Sequence, residues 1–141
     1  YISAEAVVER SIIGEGSEIH GEVYNSVIGP GVVIKKGSVV RNSIIMKQSF
    51  IGENVTIDKA IIAENVTVGN NVVMGVGEDV PNKEKPSVYS FGLVTIGENS
   101  VIPADVKIGI NTAIVGETTP EDYPDGELAS GETLNKEGET A

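Results

Sequence analysis

The sequence predicts an all-β fold, a parallel β-helix that forms a single-stranded solenoid of hexapeptide repeats. The first observation is a six-residue spacing of aliphatic residues in three consecutive runs: Ile28, Ile34 and Val40; Ile45, Ile51 and Ile57; Ile62, Val68 and Met74. The second is that the step falls to five between these runs, so equivalent residues return every seventeen positions. A short fixed period of this kind is typical of a solenoid whose coils bury their apolar side against one another.

A third observation is the order of residue types within a hexad. In the segment from Ile51 to Thr56 the first place is aliphatic, the fourth is Asn and the fifth is β-branched. Strand side chains alternate, so the fifth place and the next first place face inward, with an outward residue between them. The fourth place then forms a corner, and except at Gln48 it holds types that tolerate positive φ: Gly16, Gly31, Gly37, Asn54, Asn65, Asn71, Asn99 and Asn111.

The coil is predicted to span residues 1–115, with a looser form of the repeat over residues 1–27. The chain is already in phase with the repeat at Ile2, directly after Tyr1. We therefore expect it to be a piece of a longer protein whose remaining part lies on the N-terminal side.

Two segments depart from the period. Residues 75–94 contain two prolines and a charge cluster, which predict a loop inserted at a corner of the coil. Residues 116–141 are rich in Glu, Thr, Gly and Pro, so we expect an irregular, mostly extended tail that is partly disordered at its end. Tyr123 and Leu128 are expected to cap the coil or lie along it.

Composition excludes several classes of function. The net charge of −11 argues against nucleic acid and against an anionic membrane as partner, because both need clustered Lys and Arg. The absence of Cys excludes disulfides and thiolate metal sites. No apolar run approaches the roughly 20 residues of a membrane span. A cytoplasmic protein fits these features.

The five-residue steps all fall on one side of the coil, and that side carries the most informative pattern. Its inward places are small: Ser11, Ser26, Ser43 and Ala60. Its outward places are aliphatic: Ile12, Val27, Ile44 and Ile61. A continuous apolar stripe facing water predicts an interface with another domain or subunit. The alternative is that outward β-branched residues merely suit strands.

Candidate site residues are few. His20 is the only histidine, so a three-histidine metal site is excluded, and no carboxylate partner for a general base is evident in the sequence. Basic residues near the corners could accept a phosphate-bearing ligand in this acidic chain: Arg10, Lys35, Lys36, Arg41 and Lys59. The alternative is that they only maintain solubility.

Several stretches carry a family resemblance. The run from Gly21 to Met46, with its Asn-Ser-Val-Ile and Ser-Ile-Ile-Met pieces, closely resembles the C-terminal domain of bacterial glucose-1-phosphate adenylyltransferase, also called ADP-glucose pyrophosphorylase. The segment from Ala60 to Val66 keeps the same order and spacing. The segment from Val76 to Ile96 and the ending near Tyr123 look like the variant found in clostridial-type members.

This resemblance implies properties that the period does not show. The coil would be left-handed. The parent enzyme would make ADP-glucose and pyrophosphate from ATP and glucose 1-phosphate for glycogen synthesis, with magnesium. Catalysis would belong to an N-terminal domain outside this chain, so no catalytic residue, cofactor site or metal site is assigned here. This domain would pack on that one, help to build a homotetramer and take part in control by phosphorylated metabolites.

Two rival functions stay open from sequence. One is a hexapeptide-repeat acyltransferase, in which the faces of the coil build the active site and His20 would be the base. The other is a structural solenoid without a ligand, attached to another sugar-phosphate nucleotidyltransferase.

Overall fold

A computed structural model describes residues 1–136 of the chain. This part contains one 3-10 helix, Pro120–Asp122, and nineteen short strands. The strands are β1 (Val7–Glu9), β2 (Ile12–Ile13), β3 (Glu18–Ile19), β4 (Glu22–Tyr24), β5 (Val27–Ile28), β6 (Val33–Ile34), β7 (Val39–Arg41), β8 (Ile44–Ile45), β9 (Phe50–Ile51), β10 (Thr56–Asp58), β11 (Ala60–Ile62), β12 (Thr67–Val68), β13 (Val73–Met74), β14 (Val94–Ile96), β15 (Val101–Ile102), β16 (Lys107–Ile108), β17 (Thr112–Val115), β18 (Glu127–Leu128) and β19 (Thr133–Asn135).

The strands form three parallel sheets that the chain visits in turn. The first sheet has the order β1-β4-β7-β10-β13-β16-β18, the second β2-β5-β8-β11-β14-β17-β19, and the third β3-β6-β9-β12-β15. A parallel bridge between Ile2 and Ile19 extends the third sheet by one step. Each passage through the three sheets is one coil, so the predicted parallel β-helix is confirmed. Its handedness stays a prediction.

The seventeen-residue spacing produces vertical columns inside the tube. Ile28 pairs with Ile45 in register, and Ile45 pairs with Ile62. All three side chains are buried. The residues two places earlier, such as Ser43 and Ala60, are buried as well, whereas the residue between them points out. The predicted alternation along each short strand is therefore confirmed.

Most buried serines are satisfied by the coil itself; among the described residues the buried Ser3 hydroxyl is the exception. Ser38 Oγ donates to the carbonyl oxygen of Gly52 at 2.6 Å and accepts from the backbone N–H of Val55 at 2.9 Å. A buried hydroxyl without partners would be costly, so these bonds let Ser stand where other coils place Val. The interior can thus hold a small polar residue such as Ser38 with its hydroxyl fully hydrogen-bonded.

The corners adopt the left-handed conformation predicted for them, and Gln48 adopts it too, with φ of 62°. A second column of such residues was missed: Arg10, Asn25, Asn42 and Lys59, with φ between 50° and 55°. It lies at the tight corner between the first and second sheets, where the five-residue step occurs. Asn42 connects neighbouring coils there, accepting from Asn25 at 2.8 Å and donating to Asp58 at 3.1 Å.

The prediction of an irregular tail over residues 116–141 is wrong for much of the described part. β18 pairs with β16 and β19 pairs with β17, so the coil continues beyond residue 115. The 3-10 helix replaces a strand of the third sheet, and buried Tyr123 packs against the core. The Tyr123 ring thus contributes to the core of this last coil, where earlier coils use aliphatic side chains. The predicted disorder at the very end lies outside the described residues.

The interruption of the period is present as expected, with no strand between Met74 and Val94. Val94 itself already belongs to β14, so the insertion comprises residues 75–93. Within the described part, no helix has the length and hydropathy needed to cross a membrane.

Candidate functional site

The outward residues of the second sheet form the apolar column that the sequence predicted. Ile12 pairs with Val27, Val27 with Ile44, and Ile44 with Ile61. The fractional exposure is 68% for Ile12, 43% for Val27 and 42% for Ile44, while Ile61 is half-buried. Neighbouring strands lie about 4.8 Å apart, so these four side chains span roughly 14 Å along the tube. We call this set the apolar column.

In the later coils the same outward ladder holds polar or small residues instead of large aliphatic ones. Ile61 is followed in register by Thr95, Ala113 and then Thr133. Beside Thr95 lies a hollow of about 320 Å³, lined also by Ile114 and Gly116 and bordered by acidic side chains. The continuous aliphatic surface therefore belongs to the first coils, and its upper end is a polar boundary.

The other two sheets are less apolar on the outside. The outward places of the third sheet are Glu18, Val33, Phe50, Thr67 and Val101, and those of the first sheet are Val7, Glu22, Val39, Thr56, Val73, Lys107 and Glu127. Phe50 is exposed, but the ammonium of Lys35 lies 5.9 Å from the centre of its ring. An uninterrupted stripe of four aliphatic residues marks an interface more strongly than such mixed surfaces do.

Three of the five basic residues lie along the tight corner that leads into the apolar column. Arg10 and Lys59 occupy the corner itself, two residues before Ile12 and Ile61. Arg41 is on the neighbouring outward ladder, which reads Glu9, Tyr24, Arg41 and Asp58. Arg41 therefore adjoins the corner column of Arg10 and Lys59.

The structure adds Tyr24 to this corner, which sequence reasoning missed. The Arg41 guanidinium lies 5.2 Å from the centre of the Tyr24 ring, a favourable cation–π distance. The Tyr24 hydroxyl donates to Glu22 Oε1 at 2.5 Å, and this bond raises the pKa of the Tyr24 phenol. The Tyr24 ring thus holds the guanidinium at the surface. The only signal in the sequence was the seventeen-residue spacing of Tyr24 and Arg41.

Lys35 and Lys36 lie apart from that group, at the corner between the third and first sheets. They line a hollow of about 300 Å³ together with His20, Glu5 and Glu53. The two carboxylates offset the two ammonium groups, so this hollow is a weaker anion site than the lysines alone suggested. The five predicted basic residues therefore form two separate groups.

His20 shares this second hollow. Its ring lies 5.5 Å from that of Tyr1 in a tilted arrangement, as in an ordinary aromatic contact. Its backbone N–H donates to the Ile34 carbonyl oxygen, which holds the residue in the coil. Across residues 1–136, no group of three or more His, Cys, Asp or Glu side chains could hold a metal ion. The described residues thus offer no cluster of metal ligands, and no catalytic step is assigned to them.

Comparison with known proteins agrees with the fold and matches the chain to one part of longer enzymes. Residues 3–96 match the family model described as "GlmU-like, C-terminal hexapeptide". The chain is 58% identical over 139 residues to the glucose-1-phosphate adenylyltransferase of Lachnospira eligens, covering 99% of this chain and 33% of that enzyme. It is 44% identical over 140 residues to the glucose-1-phosphate adenylyltransferase of Acetivibrio thermocellus, again with 99% and 33% covered.

The chain thus spans about a third of the length of these relatives, and the matching part is their C-terminal third. Among solved structures, the acetyltransferase domain of PglB from Neisseria gonorrhoeae superimposes with a TM-score of 0.57 at 21% identity. That match covers 92% of this chain and 53% of the other. At this identity it supports the fold alone.

Proposed function

Since this chain belongs to the family described as "GlmU-like, C-terminal hexapeptide", we propose that it is the assembly and regulatory domain of a glucose-1-phosphate adenylyltransferase. The enzyme converts ATP and glucose 1-phosphate into ADP-glucose and pyrophosphate, for glycogen synthesis. The observation that supports the proposal most directly is identity of 58% across 99% of the chain to an enzyme of that name. The proposed location is the cytoplasm, in keeping with a chain that has no cysteine.

In this proposal the chemistry belongs to the rest of the enzyme. The relatives extend well beyond the third that this chain matches, which leaves room for a nucleotide-binding domain on the N-terminal side. That domain would bind ATP and magnesium. The solenoid would hold the catalytic domain or a sister subunit, within a homotetramer.

The apolar column is the proposed contact surface for this assembly. Burying a fully exposed Ile side chain stabilises by about 1.5–3 kcal/mol, and the members of the column keep much of their surface exposed. The narrow, continuous stripe fits a flat apolar partner surface better than a small molecule, because it lacks walls. The occupant we propose is the enzyme's own N-terminal domain, since the relatives carry the additional chain length.

The adjoining basic corner is the proposed place for a phosphorylated effector. Arg10, Arg41 and Lys59 lie beside the apolar column, so an anion bound there would touch residues next to the domain contact. Arg and Lys suit phosphate because they donate charge-assisted hydrogen bonds to its oxygens. Carboxylates accompany the cations at both places, Glu9 and Asp58 near Arg41 and Glu5 and Glu53 near Lys35 and Lys36. The tight corner is the preferred candidate because it adjoins the apolar column.

The test uses the full-length enzyme that carries this chain as its C-terminal third. We expect it to form ADP-glucose from ATP and glucose 1-phosphate, and to bind inorganic phosphate, AMP or fructose 1,6-bisphosphate in calorimetry. Arg41→Ala should weaken that binding several-fold, whereas the paired change Lys35→Ala and Lys36→Ala should change it less. Absence of ADP-glucose formation contradicts the proposed enzyme, and equal affinity in the Arg41 variant contradicts the effector site alone.

An acyl-CoA binding assay separates the acyltransferase rival. If the enzyme binds acyl-CoA and His20→Ala abolishes that binding, the hollow at His20 is an acyltransferase site and the proposal is wrong. We expect no binding above that of a matched control protein.

A further inference from the structure

The insertion of residues 75–93 does not simply project into solvent. At its centre Asn82 is only 2% exposed, although Pro81 and Lys83 on either side are exposed. A polar side chain buried inside an otherwise exposed loop marks a point where the loop is fixed to the body of the protein. We call residues 75–93 the strap.

Asn82 connects the strap to two separate parts of the coil. Its amide nitrogen donates to the carbonyl oxygen of Asn111 at 3.0 Å and to Thr133 Oγ1 at 3.0 Å. Its side-chain oxygen accepts from the backbone N–H groups of Glu84 and Lys85, both at 2.9 Å. The nitrogen thus binds the coil. The oxygen shapes the turn of the strap and also lies 3.2 Å from the Thr133 hydroxyl, which can donate to it.

Asn111 provides the reciprocal anchor from the coil. Its side-chain nitrogen donates to Asp79 Oδ1 at 3.0 Å and to the Val80 carbonyl oxygen at 2.8 Å. Its side-chain oxygen accepts from the backbone N–H of Gly92 at 2.8 Å. Asn111 therefore holds both arms of the strap, one before and one after Asn82.

The position of these bonds shows what the strap covers. Thr133 is the register partner of Ala113. Asn111 lies two residues before Ala113 in the sequence. Ala113 continues the outward ladder of the apolar column, yet it is only 1% exposed. The bonds of Asn82 thus bracket Ala113 on the outer side of the second sheet, at the end where the aliphatic stripe stops.

We propose that residues 75–93 are an intramolecular strap that Asn82 pins across the upper end of the outward ladder. The strap shields Ala113 and holds the last coil, β18 and β19, against the tube. It also ends the exposed docking surface at Thr95, because the face above is occupied by the chain itself. The shielding of Ala113 involves only residues 1–136, and it holds whether or not the apolar column binds another domain.

The chain has no cysteine, so single-cysteine labelling tests the shielding directly. In this chain, Ala113→Cys should react slowly with a maleimide, whereas Ile44→Cys on the open part of the same ladder should react quickly. Adding Asn82→Asp keeps the oxygen that forms the strap turn and can accept from the Thr133 hydroxyl, but it removes the donor to the Asn111 carbonyl oxygen. It should speed labelling at position 113 by about tenfold or more, because an unpinned segment opens locally.

Two controls keep the outcome clear. Lys85→Ala changes an exposed strap side chain and should leave the rate at position 113 unchanged. Thr133→Val removes only the hydroxyl that Asn82 contacts and should also speed labelling, in a chain whose turn is intact. In the Asn82→Asp and Thr133→Val chains, backbone amide hydrogen exchange should become faster in β18 and β19. It should stay the same in β4 to β8.

Three results would overturn the inference. Rapid labelling at position 113 without any change at Asn82 would show that the strap does not shield it. An unchanged rate in both the Asn82→Asp and Thr133→Val chains would show that these bonds do not hold the strap. Equal loss of exchange protection in all coils would show that Asn82 supports the whole tube and not one local closure.

Discussion

The Oγ atom of Ser43 accepts a hydrogen bond from the backbone N–H of Ala60, one coil above, at 3.0 Å. The same hydroxyl donates to the carbonyl oxygen of Arg41 at 2.7 Å. Ser26 repeats this arrangement beneath Ser43, with its Oγ accepting from the Ser43 N–H at 3.1 Å. The tight corners before the apolar column are therefore tied to one another by serine side chains as well as by the backbone bonds of the sheet.

Replacing Ser43 with Ala should lower the free energy of unfolding by about 1–3 kcal/mol, because the buried N–H of Ala60 would lose its acceptor. Denaturant-induced unfolding of this chain provides the measurement. Ser11→Ala is the matched control, since Ser11 makes the equivalent bond at a half-buried position where water can substitute. Equal effects at the two positions would show that burial is not the deciding factor.

Gln48 is an exposed corner residue in the left-handed conformation, with φ of 62°. Asn accepts this conformation more readily than Gln does, and it already occupies the next position of this corner column at Asn65. Gln48→Asn should therefore stabilise the chain by up to about 1 kcal/mol. Lys47→Asn, at an exposed neighbour without positive φ, should have little effect. A loss of stability in the Gln48 variant would contradict the account of the corners.

Tyr123 should make the coil sensitive to alkali. Burial raises the pKa of its phenol to about 12, even though the hydrogen bond with Thr118 acts in the opposite direction. The fold thus favours the neutral phenol. The contribution is fully present below the ordinary pKa of about 10 and is lost as the pH rises from there towards about 12.

Unfolding measurements between pH 8 and pH 11.5, a range of about one unit or more on either side of the ordinary pKa, test this point. The Tyr123→Phe chain should lose less stability over that range than the unchanged chain. The comparison is needed because the half-buried Tyr24 also has a raised pKa. Parallel curves for the two chains would contradict the prediction.

Much of the tube could be predicted from the sequence because its interior repeats. The column of Ile28, Ile45 and Ile62 and the outward column beside it both follow from one spacing and from the alternation of strand side chains. The last coil could not be found in this way. Tyr123 and a 3-10 helix replace a strand there, so the six-residue spacing of aliphatic residues disappears.

Contacts between segments distant in the sequence also could not be predicted. Asn82 is hydrogen-bonded to Asn111 and Thr133, and nothing in the repeat pattern specifies where an inserted loop will return. The left-handed conformation of Arg10 and Lys59 was missed for a different reason. At the five-residue steps the left-handed residue does not stand at the fourth place of a hexad. Arg and Lys occupy these positions as well as Asn, so residue type did not reveal them.

The central claim is that the apolar column joins this domain to the rest of a larger enzyme. Sedimentation of the full-length enzyme carrying Ile44→Lys tests it most directly, with Thr67→Lys on the exposed outer side of the third sheet as the matched control. We expect the Ile44 variant to dissociate into smaller species or to expand, because a charge would be buried against an apolar partner. The Thr67 variant should keep the parent mass and shape. If both variants sediment like the parent enzyme, the apolar column is not the contact surface.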